Sequence, residues 1–105
     1  MNKAEETKNE ETLMKQQMDA GLKELFRLVY EIDNPQLMED FFRCLFTPAE
    51  LNDMAKRWLL VKEIDKGTTQ REIAKKYRLS LCKITRGSKE LKKDYSAFRR
   101  LLDRI

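Results

Sequence analysis

At 105 residues, with 41% apolar and 38% charged side chains, the chain allows one domain, or one domain and a tail, around a modest core. It has no histidine, so the commonest general base is missing, and its two cysteines, Cys44 and Cys82, lack the CxxC spacing of a zinc site. The net charge of +4 hides an asymmetry: residues 1–53 hold 6 Lys/Arg against 12 Asp/Glu, and residues 54–105 hold 16 against 6.

Residues 1–12 offer nothing large and apolar to bury beyond Met1 and read as a flexible N-terminal arm or a frayed helix start. Neither a signal segment nor a run long enough to span a membrane is found, so the expectation is a cytoplasmic protein with free thiols. Over residues 13–32, Met14, Met18, Leu22, Leu25, Phe26, Val29 and Ile32 recur in steps of three and four, the stripe of an amphipathic helix. Gly21 weakens its middle by about 1 kcal/mol relative to alanine. Asn34-Pro35 then caps and restarts the chain, and a short helix carries Leu37, Met38, Phe41, Phe42 and Leu45.

Thr47-Pro48-Ala49-Glu50 is a capping box with proline at the first helical position. The helix it opens carries Leu51, Met54, Ala55, Trp58, Leu59, Val61 and Ile64, and ends at Lys66-Gly67, where glycine suits a left-handed residue. Trp58 lies on that apolar stripe, so packing is its expected role. Thr69-Gln70-Arg71-Glu72 is a second capping box, opening a helix to about Tyr77. Ser80 caps the next helix, which runs to about Lys92, and Asp94 or Ser96 starts a last one with Phe98, Leu101, Leu102 and Ile105 on one side. No segment alternates with period two, so no strand is expected.

The stretch TQREIAKKYRLSLCKITRGSKEL has the spacing of a helix-turn-helix. Ile73, Tyr77 and Ile84 face inward, Ala74 is small where the helices cross, and Leu79 plugs the turn. Gln70, Arg71, Lys75, Lys83 and Thr85 face outward, all able to bond phosphates or base edges. Arg78 stands where glycine is usual, and a left-handed turn there would cost a non-glycine residue about 1–2 kcal/mol. The basic second half and this outer face point to a nucleic-acid partner, and the alternative is a helical hairpin with a solvated basic face.

With these motifs assembled, the sequence resembles the Trp repressor family. The anchors are LFTPAE, the helix containing Lys56-Arg57, GTTQREIAKKY and ITRGSKELK, from about Phe42 to about Lys92. Before Leu37 the likeness is one of layout only. The resemblance implies an all-α fold of about six helices in which two chains intertwine as a homodimer. Residues 13–105 would be one helical domain: 13–66 the dimerisation core, 69–92 the helix-turn-helix and 94–105 the C-terminal helix. Several short apolar stripes, more than one small monomer can cover, agree with a dimer.

The resemblance further implies a repressor of operator DNA with L-tryptophan as corepressor and no metal. Arg57 and Arg86 would flank the indole, Arg86 and Thr47 would take the carboxylate, and the carbonyls of Cys44 and Phe46 in the other chain would take the ammonium. Guanidinium planes stack on aromatic rings and fork onto carboxylates, which lysine does less well. Gly87, inside a helix, would allow a ligand or partner backbone to approach closely. The DNA contacts carried over are Gln70, Arg71, Leu81, Cys82, Lys83, Thr85 and Lys92.

Glu90 departs from the family, which commonly has a small residue there, often a serine touching the ligand ammonium. A carboxylate at that position either pairs with the ammonium, crowds the pocket or points to solvent. A second reading therefore stands beside the first: a related DNA-binding regulator that answers to another ligand or to none. A helical protein-binding adaptor is the rival of another class, and an enzyme is disfavoured by the missing histidine, Gly-rich phosphate loop and carboxylate pair.

Overall fold

The computed structural model describes residues 2–105, all of whose regular structure is helical: α1 (Lys3–Glu31), α2 (Pro35–Leu45), α3 (Pro48–Asp65), α4 (Gln70–Tyr77), α5 (Leu81–Lys92) and α6 (Ala97–Leu102). The chain divides into two compact units, Met1–Cys44 and Leu45–Ile105.

In the first unit α1 begins well before the apolar stripe. Residues 3–12, read from sequence as a flexible arm or a frayed helix start, are helical. The Asn2 side chain accepts from the Glu5 N–H at 2.9 Å, and Glu5 and Glu6 place negative charge on the first turn, where exposed N–H groups favour it. Ala, Glu and Lys in this segment are good helix formers, and a search for burial alone overlooks them. Nothing in α1 is buried: Met14, Met18, Leu22 and Phe26 are all at least half exposed. Asn34 caps α2 by accepting from the N–H groups of Gln36 and Leu37, as its Asn-Pro start predicts. Phe41 and Phe42 meet edge to face with ring centres 6.2 Å apart, and α2 also buries no residue fully.

The second unit is built on caps. Thr47 accepts from the Glu50 N–H at 3.2 Å while Glu50 accepts from the Thr47 N–H at 2.9 Å, and that N–H, followed by the Thr47 side chain, holds the Glu50 carboxyl below its ordinary range. Thr69 and Glu72 repeat the exchange ahead of α4, and Ser80 Oγ accepts from the Lys83 N–H to start α5. Of the two candidates for the last cap, Ser96 takes the role, accepting from the Arg99 N–H. Gly67 has φ 88°, the left-handed residue expected after α3.

Leu60 of α3, Ile73 of α4 and Ile84 of α5 form the core, with 2% or less exposed, and Ile64, Ala74, Tyr77 and Leu79 pack around them. Each such burial contributes about 1.5–3 kcal/mol relative to exposure. Val61 and Leu102 are buried as well, whereas Trp58 is only half-buried. The α4–α5 turn passes through Arg78 at φ 53° and ψ 49°, the left-handed conformation its position demands. That turn swings Leu79 back onto the core, and the Leu79 N–H closes on the Ala74 carbonyl at 3.1 Å.

Candidate ligand cleft and nucleic-acid interface

Helices α4 and α5 present the side chains that the sequence assigns to DNA. Gln70, Arg71, Leu81, Cys82, Lys83, Thr85 and Lys92 are all exposed, as is Lys75. With Ile73 and Ile84 fully inward, the helical period sets Arg71, Lys75 and Cys82 opposite them and Lys83 and Thr85 to the sides, while Gln70, Leu81 and Lys92 are exposed near the helix ends. The N-terminus of α5, capped by Ser80, heads the face with Leu81, Cys82 and Lys83, so backbone N–H groups and a cation lie at the end that would approach phosphate.

Behind α5 lies a cleft of about 400 Å³ lined by Arg57, Leu60, Val61, Lys83, Arg86, Gly87, Glu90 and Phe98. It brings together four residues that the sequence assigns to ligand: Arg57 from α3, and Arg86, Gly87 and Glu90 from α5. Cys44, Phe46 and Thr47 do not line it. Lys83, assigned only to DNA, lines the cleft and is also exposed on α5. Leu60, Val61 and Phe98 supply apolar walls that the sequence reading did not place there. Val61 carried a signal in its α3 stripe, but that stripe named Leu59, which is exposed, in place of Leu60, which is buried, and Phe98 depends on how α6 packs, which no local pattern fixes.

The electrostatics suit an anion beside an aromatic body. Arg57, Lys83 and Arg86 bring three cations to the cleft against the single carboxylate of Glu90. That carboxylate is already engaged: it accepts from Lys93 Nζ at 2.8 Å. The bond to Lys93, and then the nearby charge of Arg86, hold the Glu90 carboxyl below its ordinary range. Glu90 thus keeps its negative charge, half in the cleft and half toward solvent.

Gly87 is buried, and the close approach it permits is made by its own chain. A Cβ there would lie 3.3 Å from Leu60 Cδ2, 3.5 Å from Leu60 Cγ and 3.8 Å from Ile64 Cδ1. The neighbour is therefore α3, in place of the expected ligand or partner backbone, and the cleft opens alongside the contact. Thr47 is exposed, and its hydroxyl is engaged with Glu50, accepting from the Glu50 N–H and bonding the Glu50 carboxyl. Cys44 and Cys82 are exposed and unbridged.

One buried group escaped the sequence reading altogether. Glu63 of α3 is 8% exposed and accepts from Thr68 Oγ1 at 2.6 Å, Lys76 Nζ at 3.0 Å and Tyr77 OH at 3.4 Å. The bonds to Thr68 and Lys76 pull its pKa down to about 2, and the same carboxylate raises that of Lys76. Among the described residues no group of His, Cys, Asp and Glu could hold a metal ion, and no helix is long and apolar enough to cross a membrane.

A family model described as Trp repressor protein matches residues 20–105. A protein named Trp operon repressor homolog from Chlamydia trachomatis serovar L2 is 33% identical over 92 residues, covering 87% of this chain and 98% of the relative. A protein of the same name from Chlamydia caviae is 37% identical over 86 residues, with 81% and 85% covered. Another, from Xylella fastidiosa strain M23, is 31% identical over 68 residues, with 64% and 74% covered. No solved structure matches the chain.

Proposed function

The chain belongs to the Trp repressor family, and from that premise we propose that it is a sequence-specific DNA-binding repressor, acting in the cytoplasm as a homodimer with L-tryptophan as corepressor. The family consists of DNA-binding regulators, not enzymes. The observation that carries the proposal is the cleft behind α5, where Arg57, Arg86 and Gly87 meet. Two guanidiniums from different helices can sandwich an indole ring, and Arg86 can fork onto its carboxylate. Such a ligand touches α3 and α5 together, so binding it fixes the reading helix against the unit's core.

In the dimer, residues 13–66 form the shared core and 69–92 the reading head, while 94–105 close the chain and residues 3–12 extend α1 ahead of that core. The carbonyls of Cys44 and Phe46 of the second protomer take the ammonium, and the Thr47 hydroxyl turns from Glu50 to the ligand carboxylate. Gln70, Arg71, Leu81, Cys82, Lys83, Thr85 and Lys92 meet DNA, Arg71 being suited to a bidentate bond with guanine O6 and N7.

A ligand that favours the DNA-competent head raises operator affinity, and operator raises ligand affinity by the same factor. The test measures binding to a duplex selected by the protein from a random pool, with and without saturating L-tryptophan. The expected gain is about 5–150-fold, lost in Arg86→Ala. Equal affinity in both conditions would refute the corepressor role.

Glu90 supports a second reading, a regulator answering to another ligand or to none, because a charged carboxylate tied to Lys93 occupies part of the cleft. Glu90→Ala decides between them. Weaker tryptophan binding means that the carboxylate meets the ammonium, and tighter binding means that it crowds the ring.

A further inference from the structure

Glu63 is the most buried charged side chain among the described residues, and the function proposed above makes no use of it. Its carboxylate collects three donors from the α3–α4 connection and from α4 itself: Thr68, Lys76 and Tyr77. The backbone adds a fourth tie, since the Thr68 N–H donates to the Glu63 carbonyl at 3.0 Å. Lys76 also lies over the Tyr77 ring, 5.4 Å from its centre. The first helix of the reading head is thereby fastened to α3 by charge-assisted bonds from a carboxylate largely shielded from water, where such bonds are strongest.

From this geometry we infer that Glu63 is a positioning residue: its latch holds the reading head in its DNA-competent orientation before any ligand arrives. This rests on the reading of α4 and α5 as the DNA-binding face. The cleft ligand, touching α3 and α5, would be a second tie between the same core helix and the same head. Two ties on one degree of freedom are partly redundant, so each matters more when the other is gone. The latch thus raises ligand-free affinity and shortens the range over which the ligand can regulate.

The test uses the full chain and two variants, Glu63→Gln and Lys76→Gln. They change net charge in opposite directions, yet the latch predicts the same effect for both. Each should weaken ligand-free binding to the duplex selected by the wild-type protein by about fivefold or more, and by less than twofold once L-tryptophan saturates the cleft. Lys76 is largely exposed, so Lys76→Gln should fold normally even if Glu63→Gln does not. Amide exchange in the ligand-free variants should quicken across α4 and remain unchanged in α6.

Equal losses with and without tryptophan would overturn the inference, as would tighter binding by Glu63→Gln, the result its added positive charge alone predicts. Quicker exchange throughout the chain would reduce Glu63 to a general stabiliser and overturn it too. Should tryptophan leave wild-type affinity unchanged, the corepressor reading falls, and the ligand-free loss with the α4-confined exchange decides the latch. Should the wild-type protein select no duplex, the DNA reading falls and the exchange pattern decides alone.

Discussion

Replacing Arg78 with glycine should make the second unit more stable, although it removes a side chain and fills no cavity. Arg78 closes α4 at φ 53° and ψ 49°, where Cβ crowds the backbone of an L-residue at a cost of about 1–2 kcal/mol. Glycine relieves that strain but loses about 0.5–1 kcal/mol through the greater freedom of its unfolded chain. The net gain is about 0.5–1 kcal/mol, or roughly 2–8 °C in Tm for a unit of this size. The Arg78 side chain is exposed and makes no hydrogen bond or ion pair, so no contact is lost. Thermal melting at one fixed protein concentration reads the effect, since association would otherwise move Tm. Arg78→Ala is the control: it removes the same charge, keeps Cβ, and should stay within about 0.5 kcal/mol of wild type. If alanine stabilises as much as glycine, relief of charge repulsion is the cause and the backbone argument is wrong. If glycine lowers Tm, the left-handed turn is not the strained element.

Acid should expose the Glu63 latch. Its carboxyl, at about 2 in the folded chain against an ordinary 4.5, contributes stability that is complete above 4.5 and drains away as pH falls toward 2. The wild-type Tm should therefore fall more steeply than that of Glu63→Gln across this window, and parallel curves would contradict the shift. Arg71→Ala should cost about 1–3 kcal/mol of specific binding and relax discrimination at one base pair. Lys92→Ala should weaken all duplexes alike and lower the salt slope by about one, a contrast that gel shifts at several salt concentrations will show or deny. Gly87→Ala sets a helix gain of about 1 kcal/mol against crowding of about 1–3 kcal/mol. With Leu60 held in the core only 3.3 Å from the new methyl, crowding should win, and a raised Tm would refute that.

The local grammar of the fold was readable because it is written in short spacings. Thr47 with Glu50, Thr69 with Glu72, and Ser80 ahead of α5 all cap where a three-residue rule places them. Arg78 was legible for a related reason: the turn demands a left-handed residue whatever occupies it. The start of α1 was not, because hydrophobic periodicity is silent on a helix that buries nothing, and only Asn2 marks its beginning. The family match likewise begins at residue 20, far ahead of the anchors around LFTPAE. In the cleft, Arg57 and Arg86 could be nominated from motif and chemistry. Phe98 and Glu63 could not. Phe98 reaches the cleft from α6, and the Lys76 that pairs with Glu63 lies thirteen positions on, so neither contact leaves a local trace. In sequence Glu63 looks like one more solvated charge.

The bare stripe of α1 has a consequence for dosage. A helix of 29 residues that buries no residue fully has little anchorage in its own chain, and most helical stability comes from packing an apolar face. If a second copy covers it, the first unit folds by mass action, and its folded fraction rises with the abundance of the protein itself. In the dilute regime the amount of assembled repressor then grows as the square of the amount of chain, so halving expression removes about three quarters of it. A cell could silence such a regulator by dilution through growth alone, without degrading it and without any change in ligand.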